Sequence, residues 1–297
     1  ELLGTMKKEL KGLRIHGVTF QWAEAWVKTL KMKSNYAPGT IRKRVGALAR
    51  VLDWHFRRHS MGEKVAMNPL RLLPKGYSQY TTAESGELRG RGAAPKTDVH
   101  RDYRLGADDE AALTGALSGT KRPDRERPMP VDPEFQMLFR LILDTGLRLS
   151  EAYRLRVNQI DFLVGVIKVE GSKGARGVLK PRTVPMKKEL RARLKEWCAD
   201  RKDLVFAYWD GTKEGRGRAT SKLSNRFKTV FDYAGLGHLT EHDLRHEACC
   251  RWFELRNPKG GWVFSDVEIC RVMGWSSMDM ALRYASLRGE DLANRLL

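Results

Sequence analysis

The sequence has few cysteines, and none of them is placed for a disulfide framework or a zinc site. Only four of the 297 residues are cysteine, and Cys249 and Cys250 are adjacent. No C-x-x-C pair occurs, which is the spacing that zinc ribbons and fingers use. We therefore expect the cysteines to be small buried hydrophobic residues of a protein that works in a reducing cytoplasm.

Long hydrophobic runs are also missing. The best candidate, residues 137–143, is interrupted by Arg140, so we expect neither a transmembrane helix nor a membrane partner. The chain begins at Glu1 without a basic stretch and hydrophobic run, so no signal peptide is predicted. A start on Glu1 rather than Met suggests either a piece of a longer protein or a protein whose first residues are disordered.

Acidic residues are scarce relative to basic ones. The chain has 55 Lys and Arg against 36 Asp and Glu, a formal net charge of +19. Such an excess attracts polyanions, of which nucleic acid is the commonest. Hydrophobic residues make up 41% of the chain, which is enough for packed cores, and the length predicts two domains.

The first 75 residues predict a basic helical domain. They contain 16 Lys and Arg but only 5 Asp and Glu. Apolar residues at 41, 45, 48 and 52 recur with a helical period, and Thr40 is a candidate helix cap. The other side of this helix bears the side chains that we predict to contact nucleic-acid phosphates: Arg42, Lys43, Arg44, Arg50 and Arg57.

Residues 76–101 predict a basic flexible linker, because Gly, Ser, Thr, Arg and Lys replace any hydrophobic period there. Residues 102–297 predict a mainly helical domain with a small antiparallel sheet, formed by strands near 166–169 and 183–186. Helices are expected over 188–197, 221–233, 241–255, 266–273 and 278–286, and a C-terminal tail over 285–297.

Three short motifs carry the candidate chemistry. Thr145-Gly-Leu-Arg-Leu-Ser-Glu151 places Arg148 and Glu151 three residues apart, so one helical face can hold both side chains. His242 and Arg245 have the same spacing in Glu241-His-Asp-Leu-Arg-His246. A tryptophan in Met273-Gly-Trp275 precedes Tyr284 by nine residues.

Together these motifs resemble the tyrosine recombinases, the phage integrase-like site-specific recombinases. The match includes T-G-L-R-x-S-E at 145–151, H-x-L-R-H at 242–246 and M-G-W before Tyr284. The stretch from Gly171-Ser-Lys-Gly174 to Arg182 is similar to the family's lysine-bearing hairpin. Trp275 stands where many members have a second histidine. The long hairpin leaves Lys180 as a rival to Lys173, and the usual threonine before the tyrosine is absent.

The resemblance implies a nucleophile, a phosphate clamp and an acid. Tyr284 would attack a DNA phosphodiester, while Arg148 and Arg245 bind its non-bridging oxygens. A tyrosine has a pKa near ~10 and needs help to ionise, and His242 is the candidate base. Lys173 would protonate the leaving 5′-oxygen. Trp275 would contact the phosphate or pack against the tyrosine's helix, and Glu151 would orient its neighbours.

No cofactor is expected. The carboxylates are not grouped as in two-metal nucleases, and no G-x-x-x-x-G-K-[ST] motif for nucleotides occurs. The arginines and lysine supply the charge that a metal would bring, and a covalent intermediate keeps the energy of the cut strand. We therefore expect neither metal nor ATP. Tyr208 and Tyr233 are rival nucleophiles without the tryptophan spacing, and His246 is interpreted as a structural helix residue.

The predicted function is site-specific DNA recombination for a phage or mobile element, through a 3′-phosphotyrosine and a Holliday junction. The resemblance implies a homotetramer that closes around double-stranded DNA, with possible accessory DNA-bending proteins. Two alternatives stay open: a type IB topoisomerase-like enzyme that relaxes supercoils, and a non-catalytic DNA-binding regulator of the same ancestry. The target sequence and the choice among integration, excision, inversion and resolution are not predicted.

Overall fold

A computed structural model describes residues 2–59, 67–98, 102–171 and 181–284. The chain is mainly α-helical with one small antiparallel sheet. It divides into two compact units, Glu1–His100 and Arg101–Leu297. No helix in the described ranges is long and apolar enough to cross a membrane.

The first unit consists of helices around one small core. Its α-helices are α1 (Leu2–Met6), α2 (Phe20–Met32), α3 (Pro38–His59) and α4 (Thr82–Gly90). Thr19 caps α2 by accepting a hydrogen bond from the Trp22 amide. The predicted apolar stripe of α3 is buried and packs in the same core as Trp26 and Leu30 of α2, which confirms the helical period read from the sequence.

The predicted flexible linker is wrong for residues 81–98, which belong to the first unit. Thr81 and Glu84 form a capping box that starts α4. The Glu84 carboxylate forms an ion pair with the buried Lys31 ammonium at 3.0 Å. Leu88 is buried, and Asp98 pairs with Arg42 at 2.8 Å. The two ion pairs join residues that are more than 50 positions apart in the sequence, so no local sequence pattern predicts them.

The second unit holds the remaining elements. Its helices and strands are α5 (Ala107–Leu117), α6 (Pro133–Thr145), α7 (Leu149–Ala152), β1 (Ile160–Asp161), β2 (Val166–Val169), β3 (Arg182–Pro185), α8 (Lys188–Trp197), α9 (Gly215–Ala234), α10 (Glu241–Glu254), α11 (Asp266–Met273) and α12 (Asp279–Leu282). Most of the predicted helices are confirmed, with α9 starting six residues earlier than expected.

The sheet is three-stranded and antiparallel, in the order β1-β2-β3. The predicted hairpin is present as β2 and β3, with Ile167 opposite Val184. Both of these side chains are fully buried in the main core, which fixes the register because a slip by one residue would expose them. Strand β1 was not predicted from the sequence because it has only two residues.

All four cysteines are free and buried, as expected of small hydrophobic residues. Cys249 and Cys250 belong to a second apolar cluster of this unit, which α10, α11 and α12 form around Phe253 and Met273. Burial raises the pKa of both adjacent thiols to about 12, so they are protonated at neutral pH. This cluster also contains Tyr284.

Candidate active site

Arg148 is positioned by the sharp end of α6. The helix stops at Gly146, whose φ of 65° is a left-handed conformation that favours glycine. Arg148 then caps the four-residue helix α7, where its backbone amide and its guanidinium both donate to the Glu151 carboxylate at 2.9 Å. The predicted i, i+3 pair is thus present, and it fixes the direction of a half-exposed guanidinium.

Arg182 is a second partner of Glu151 that the sequence analysis did not single out. Its guanidinium donates to both carboxylate oxygens at 2.9 and 2.7 Å, and its Nε donates to the Val272 carbonyl at 2.8 Å. The side chains of Arg182 and Glu151 are each 6% exposed. Burial alone would raise the pKa of Glu151, but the hydrogen bonds and charges of Arg182 and Arg148 lower it to about 2.

Arg245 lies on α10 and is held by backbone carbonyls. Its buried guanidinium donates to the carbonyl oxygens of Gly146 and Met273. Burial lowers its pKa to about 10, and the guanidinium of Arg148 adds to this shift. The side chain therefore still carries its charge at neutral pH. Because the Arg245 guanidinium bonds the carbonyl of Gly146, two residues before Arg148, the two arginines belong to one cluster of positive charge.

His242 lies at the solvent side of the same cluster. It is exposed at the start of α10, yet burial of part of its ring lowers its pKa, and the Arg245 guanidinium adds to the effect. The imidazole is therefore neutral at pH 7 and able to accept a proton. The structure thus brings together Arg148, Glu151, His242 and Arg245 from two motifs that are about 100 residues apart.

Tyr284 is buried among aromatic rings. Its ring stacks against Phe253 at 5.2 Å between centroids and against Trp275 at 5.6 Å. The phenol oxygen lies 3.0 Å from Nδ1 of His246. Burial raises the pKa of Tyr284, and the neighbouring Cys249 adds to this shift, so the phenol is protonated in this conformation.

The phenol and the predicted base do not meet in this structure. Among the residues that the structure describes, no hydrogen bond joins Tyr284 to Arg148, His242 or Arg245. His246, one helical turn after His242, is the hydrogen-bond partner of the phenol instead, although the sequence analysis interpreted it as a structural residue. Trp275 packs against the tyrosine ring, which is one of the two roles predicted for it.

A polar cleft of about 650 Å³ adjoins the arginine cluster. Glu151 lies on its wall together with Arg154, Arg156 and Arg216. Gly171, also on the wall, is the last described residue before 172–180. Lys173 and Lys180 fall in that stretch, so the predicted acid lies outside the described residues, as does the C-terminal tail 285–297.

The predicted DNA-contacting side chains of α3 separate into two kinds. Lys43, Arg50 and Arg57 are exposed, and Arg42 is half-exposed while paired with Asp98. Arg44 is different, and its prediction as a DNA contact is wrong. It is buried, forms an ion pair with Glu9 at 2.8 Å, and lies over the Tyr36 ring at 4.5 Å. Position 44 turns toward the core side of the helix.

The rival tyrosines, Tyr208 and Tyr233, pack in the main core of the second unit, whereas Tyr284 belongs to the other apolar cluster. Tyr233 is buried in the main core and donates to the Thr120 carbonyl at 3.2 Å. Tyr208 packs on the same core. In the described ranges no group of three or more His, Cys, Asp or Glu side chains is placed to hold a metal ion.

Two residues of the site, Arg182 and His246, were missed as functional candidates. Arg182 lies on β3 and Glu151 on α7, 31 residues earlier in the sequence, so the contact between the two side chains depends on how the strand and the helix pack. His246 stands in the H-x-L-R-H motif itself, one helical turn after His242. Its position on the stripe of α10 that includes residues 249, 250 and 253 was the signal that could have linked it to a buried tyrosine.

The chain is similar in sequence to proteins that are named recombinases. A family model described as the phage integrase family matches residues 124–290. The shufflon-specific DNA recombinase of Escherichia coli is 29% identical over 202 residues, 68% of this chain and 44% of that protein. Tyrosine recombinase XerC of Chromobacterium violaceum is 31% identical over 159 residues, 52% of this chain and 48% of that protein. The chain thus spans about half the length of these curated relatives.

Solved structures share the fold. The Tn1549 transposon integrase in complex with circular intermediate DNA has a TM-score of 0.59 at 19% identity, covering 100% of this chain and 91% of that one. A lambda integrase dimer bound to a core site also gives 0.59, at 16% identity, covering 97% and 88%. With a family model that matches more than half of its residues, the chain belongs to the phage integrase family.

Proposed function

We propose that this chain is a tyrosine-type site-specific DNA recombinase, which cuts and rejoins double-stranded DNA through a 3′-phosphotyrosine. The observation that carries the proposal is that α10 bears His242, Arg245 and His246: the Arg245 guanidinium bonds the Gly146 carbonyl, two residues before Arg148, and His246 bonds the phenol of Tyr284. Family membership supports the same reaction, and the relatives are named DNA recombinases.

The two arginines bind the non-bridging oxygens of the scissile phosphate. Negative charge gathers there in the transition state, and one well-placed donor contributes about 3 kcal/mol, or ~100-fold in rate. Arg245 is pre-oriented by two carbonyls and Arg148 by Glu151. Arg182 acts through Glu151 and is a positioning residue: it keeps the carboxylate charged and fixed.

Tyr284 is the nucleophile. Its phenol oxygen attacks phosphorus, the bond from phosphorus to the 5′-oxygen breaks, and the phenol proton passes to a neutral imidazole. The family resemblance implies that Lys173 donates a proton to the leaving 5′-oxygen. Rejoining reverses each step, so the phosphotyrosine bond conserves the energy of the cut strand and no ATP is consumed.

The buried phenol must turn toward the arginine cluster before it attacks. In the conformation described, His246 is its hydrogen-bond partner at 3.0 Å. DNA binding supplies an anion between Arg148 and Arg245 and so favours the turn, since a ligand shifts the equilibrium toward the state that it binds better. His246 stabilises the conformation in which the Tyr284 phenol is buried, and His242 accepts the phenol proton at the reacting phosphate.

The partner is double-stranded DNA, and the assembly is a homotetramer that exchanges one strand pair at a time through a Holliday junction. The net charge of +19 suits a polyanionic substrate. Several structural neighbours were solved on DNA, among them a XerH recombinase in a post-cleavage complex with its difH substrate. Mobile-element or phage DNA is the proposed substrate, with accessory DNA-bending proteins as further partners.

A nicked suicide duplex tests the reaction directly, because the short fragment beyond the cut diffuses away and leaves DNA attached to the protein. Duplexes drawn from a random library replace the unknown target, and sequencing of the trapped DNA identifies it. We expect a DNA-linked band with the wild-type chain and with Tyr208→Phe, and none with Tyr284→Phe. A band that persists in Tyr284→Phe contradicts the assignment.

The same trapped target separates the alternatives. A recombinase joins two distinct duplexes, whereas a topoisomerase-like enzyme only relaxes supercoiled plasmid. A binding-only regulator shifts DNA in gels and forms no covalent band. Cleavage that EDTA abolishes argues against a mechanism in which arginine and lysine side chains alone neutralise the phosphate.

A further inference from the structure

Two histidines lie side by side at the end of α3. His55 and His59 are one helical turn apart, so both side chains leave the same face of the helix. Their rings are stacked, with the centroids 4.2 Å apart and an angle of 18° between the ring planes. His55 is half-buried and His59 is exposed, so solvent reaches the pair.

The hydrogen bonding of His59 leaves a lone pair on one known ring nitrogen. Nδ1 of His59 lies 3.0 Å from the carbonyl oxygen of His55, which can only accept a hydrogen bond. Nδ1 therefore carries the proton of the neutral ring, and Nε2 carries the lone pair. Histidines that bind metal ions usually donate the other ring N–H to a carbonyl or carboxylate in this way, which fixes the orientation of the ring.

The two rings are close enough to share one metal ion. A metal–imidazole bond is about 2.0–2.1 Å long, so two nitrogens bound to the same ion are separated by at most ~4 Å. The ring centroids of His55 and His59 already lie 4.2 Å apart. Binding an ion between the two rings therefore needs only local adjustment of the side chains, without a change in the helix.

The charges around the pair have opposing effects on a bound cation. Arg57 and Arg58 lie between the two histidines in the sequence, and their positive charges lower the affinity for a metal ion. The Arg58 guanidinium is held over the Trp54 ring, 5.1 Å from its centroid. The pair lies in the last turns of α3, where the negative end of the helix dipole attracts cations and offsets part of the repulsion.

A second histidine pair with the same spacing, His242 and His246 on α10, is not available to a metal ion in this structure. Nδ1 of His246 lies 3.0 Å from the Tyr284 phenol oxygen, and Nε2 lies 3.7 Å from the Cys250 sulfur. Both ring nitrogens of His246 are therefore occupied. The spacing of the two pairs is identical, so the hydrogen bonds and not the sequence distinguish them.

We propose that His55 and His59 bind one divalent ion of the late first-row transition metals, such as Ni²⁺, Cu²⁺ or Zn²⁺. Imidazole is a good ligand for these ions, whereas Mg²⁺ and Ca²⁺ prefer oxygen ligands. The ion cross-links two consecutive turns of α3, and water fills its other coordination positions. The site belongs to the first unit, whereas Arg148, His242 and Tyr284 belong to the second, so a reaction without a metal ion is compatible with it.

Titration of the full-length chain with Ni²⁺, after removal of any oligohistidine tag, tests the site. His55→Ala and His59→Ala each remove one ligand. His16→Ala is the matched control, because His16 is an exposed histidine of the first unit without a second histidine one turn away. His242→Ala reports binding at the pair on α10. Calorimetry gives the Kd and the number of ions per chain, circular dichroism checks the fold, and Mg²⁺ is the control ion.

The wild-type chain, His16→Ala and His242→Ala should bind one Ni²⁺ per chain with the same Kd. His55→Ala and His59→Ala should each weaken binding about tenfold or more, because the second imidazole acts at a high effective concentration once the first has bound. At a free Ni²⁺ concentration about fivefold above Kd, the Tm of the first unit should rise by roughly 4–8 °C in the wild-type chain. Mg²⁺ at the same concentration should have no such effect.

Three results overturn the inference. An unchanged Kd in either His55→Ala or His59→Ala shows that the two side chains do not chelate the ion together. Loss of binding in His242→Ala alone assigns the ion to α10. Absence of Ni²⁺ binding by the wild-type chain removes the site altogether. If His55→Ala does not fold, His59→Ala decides alone, since His59 is exposed. None of these measurements involves DNA, so their failure leaves the proposed recombinase function untouched.

Discussion

Tyr284 and His246 are joined by a hydrogen bond of 3.0 Å between the phenol oxygen and Nδ1 of the imidazole, inside a cluster of aromatic rings. The other ring nitrogen, Nε2, lies 3.7 Å from the Cys250 sulfur. In the tautomer with its proton on Nε2, His246 accepts the phenol proton in this bond. The candidate nucleophile is therefore hydrogen-bonded to an ionisable group whose pKa is lowered by burial.

The first prediction is energetic coupling between these two residues. His246→Phe or Tyr284→Phe alone leaves a buried polar partner unpaired, which costs about 1–3 kcal/mol of unfolding free energy. The double variant leaves neither partner unpaired, so its loss should be smaller than the two single losses together by about 1 kcal/mol. Urea denaturation of the four proteins measures this cycle. Losses that add within about 0.5 kcal/mol contradict a direct bond.

A second prediction concerns pH. Burial lowers the pKa of His246 below 6.5, against the opposing charges of Asp102, Glu247 and Asp243, and Arg104 assists the lowering. A histidine with a lowered pKa gives its full stability above its unfolded value and loses it as the pH falls through the folded one. The wild-type unfolding free energy should therefore decrease as the pH drops below 6.5.

The control for this pH effect is His246→Phe, which cannot titrate at that position. Its unfolding free energy should fall less steeply over the same range. His242 also has a lowered pKa and remains in both proteins, so the difference between them reports on His246 alone. Parallel curves for the two proteins argue against a neutral, partly buried His246.

The sequence predicts those parts of the fold that depend on residues close together in the chain, and it does not predict those that depend on contacts between distant residues. Helical period is local, so the buried stripe of α3 and the long helices of the second unit could be read directly. Helix α4 could not, because its stretch is rich in glycine and its anchors, such as the Lys31–Glu84 pair, join positions 53 residues apart. The prediction for Arg44 was wrong for a related reason. Its charge predicted an exposed side chain, but the side chain is buried because Glu9 forms an ion pair with it and the Tyr36 ring packs against it.

The candidate site follows the same rule. Residue types, spacing and the family resemblance made Arg148, His242, Arg245 and Tyr284 candidates, and the structure brings the first three into one cluster. Their catalytic roles stay predictions. The partners that orient them, Arg182 for Glu151 and His246 for Tyr284, come from the packing of β3 and α12 against the rest of the unit. A linear motif contains no information on that packing.

A third prediction concerns acid stability through Glu151. Its pKa of about 2 lies well below the 4.5 of an unfolded glutamate. A lowered carboxyl pKa gives stability that is present above the unfolded value and lost as the pH falls toward the folded one. The shift corresponds to on the order of 3 kcal/mol at neutral pH, because protonation removes the charge that Arg182 and Arg148 face.

Glu151→Gln keeps the shape of the side chain and removes its charge. We expect it to lose about 3 kcal/mol of unfolding free energy at pH 7 and much less relative to wild type at about pH 3. Glu196→Gln, on the exposed face of α8, is the matched control and should have little effect at either pH. Equal losses at both pH values in Glu151→Gln are inconsistent with a charged, doubly paired carboxylate.

The last prediction separates two arginines of α3 that look alike in the sequence. Arg44→Ala removes a buried ion pair with Glu9 and a cation–π contact with Tyr36, so it should lower Tm measurably. Arg50→Ala removes an exposed side chain and should change the unfolding free energy by less than about 0.5 kcal/mol.

The effects of the two substitutions on DNA binding are expected in the opposite order, with the larger effect in Arg50→Ala. Each phosphate contact adds about one unit to the slope of log affinity against log salt, so Arg50→Ala should reduce that slope by about one unit, while Arg44→Ala leaves it unchanged at temperatures where the variant is folded. Circular dichroism establishes the folded range, and titration of a labelled duplex at several salt concentrations gives the slope. A reduced slope in Arg44→Ala, with none in Arg50→Ala, would mean that DNA contacts the opposite side of α3, and it would refute the exposed basic side of α3 as the DNA-facing surface of the first unit.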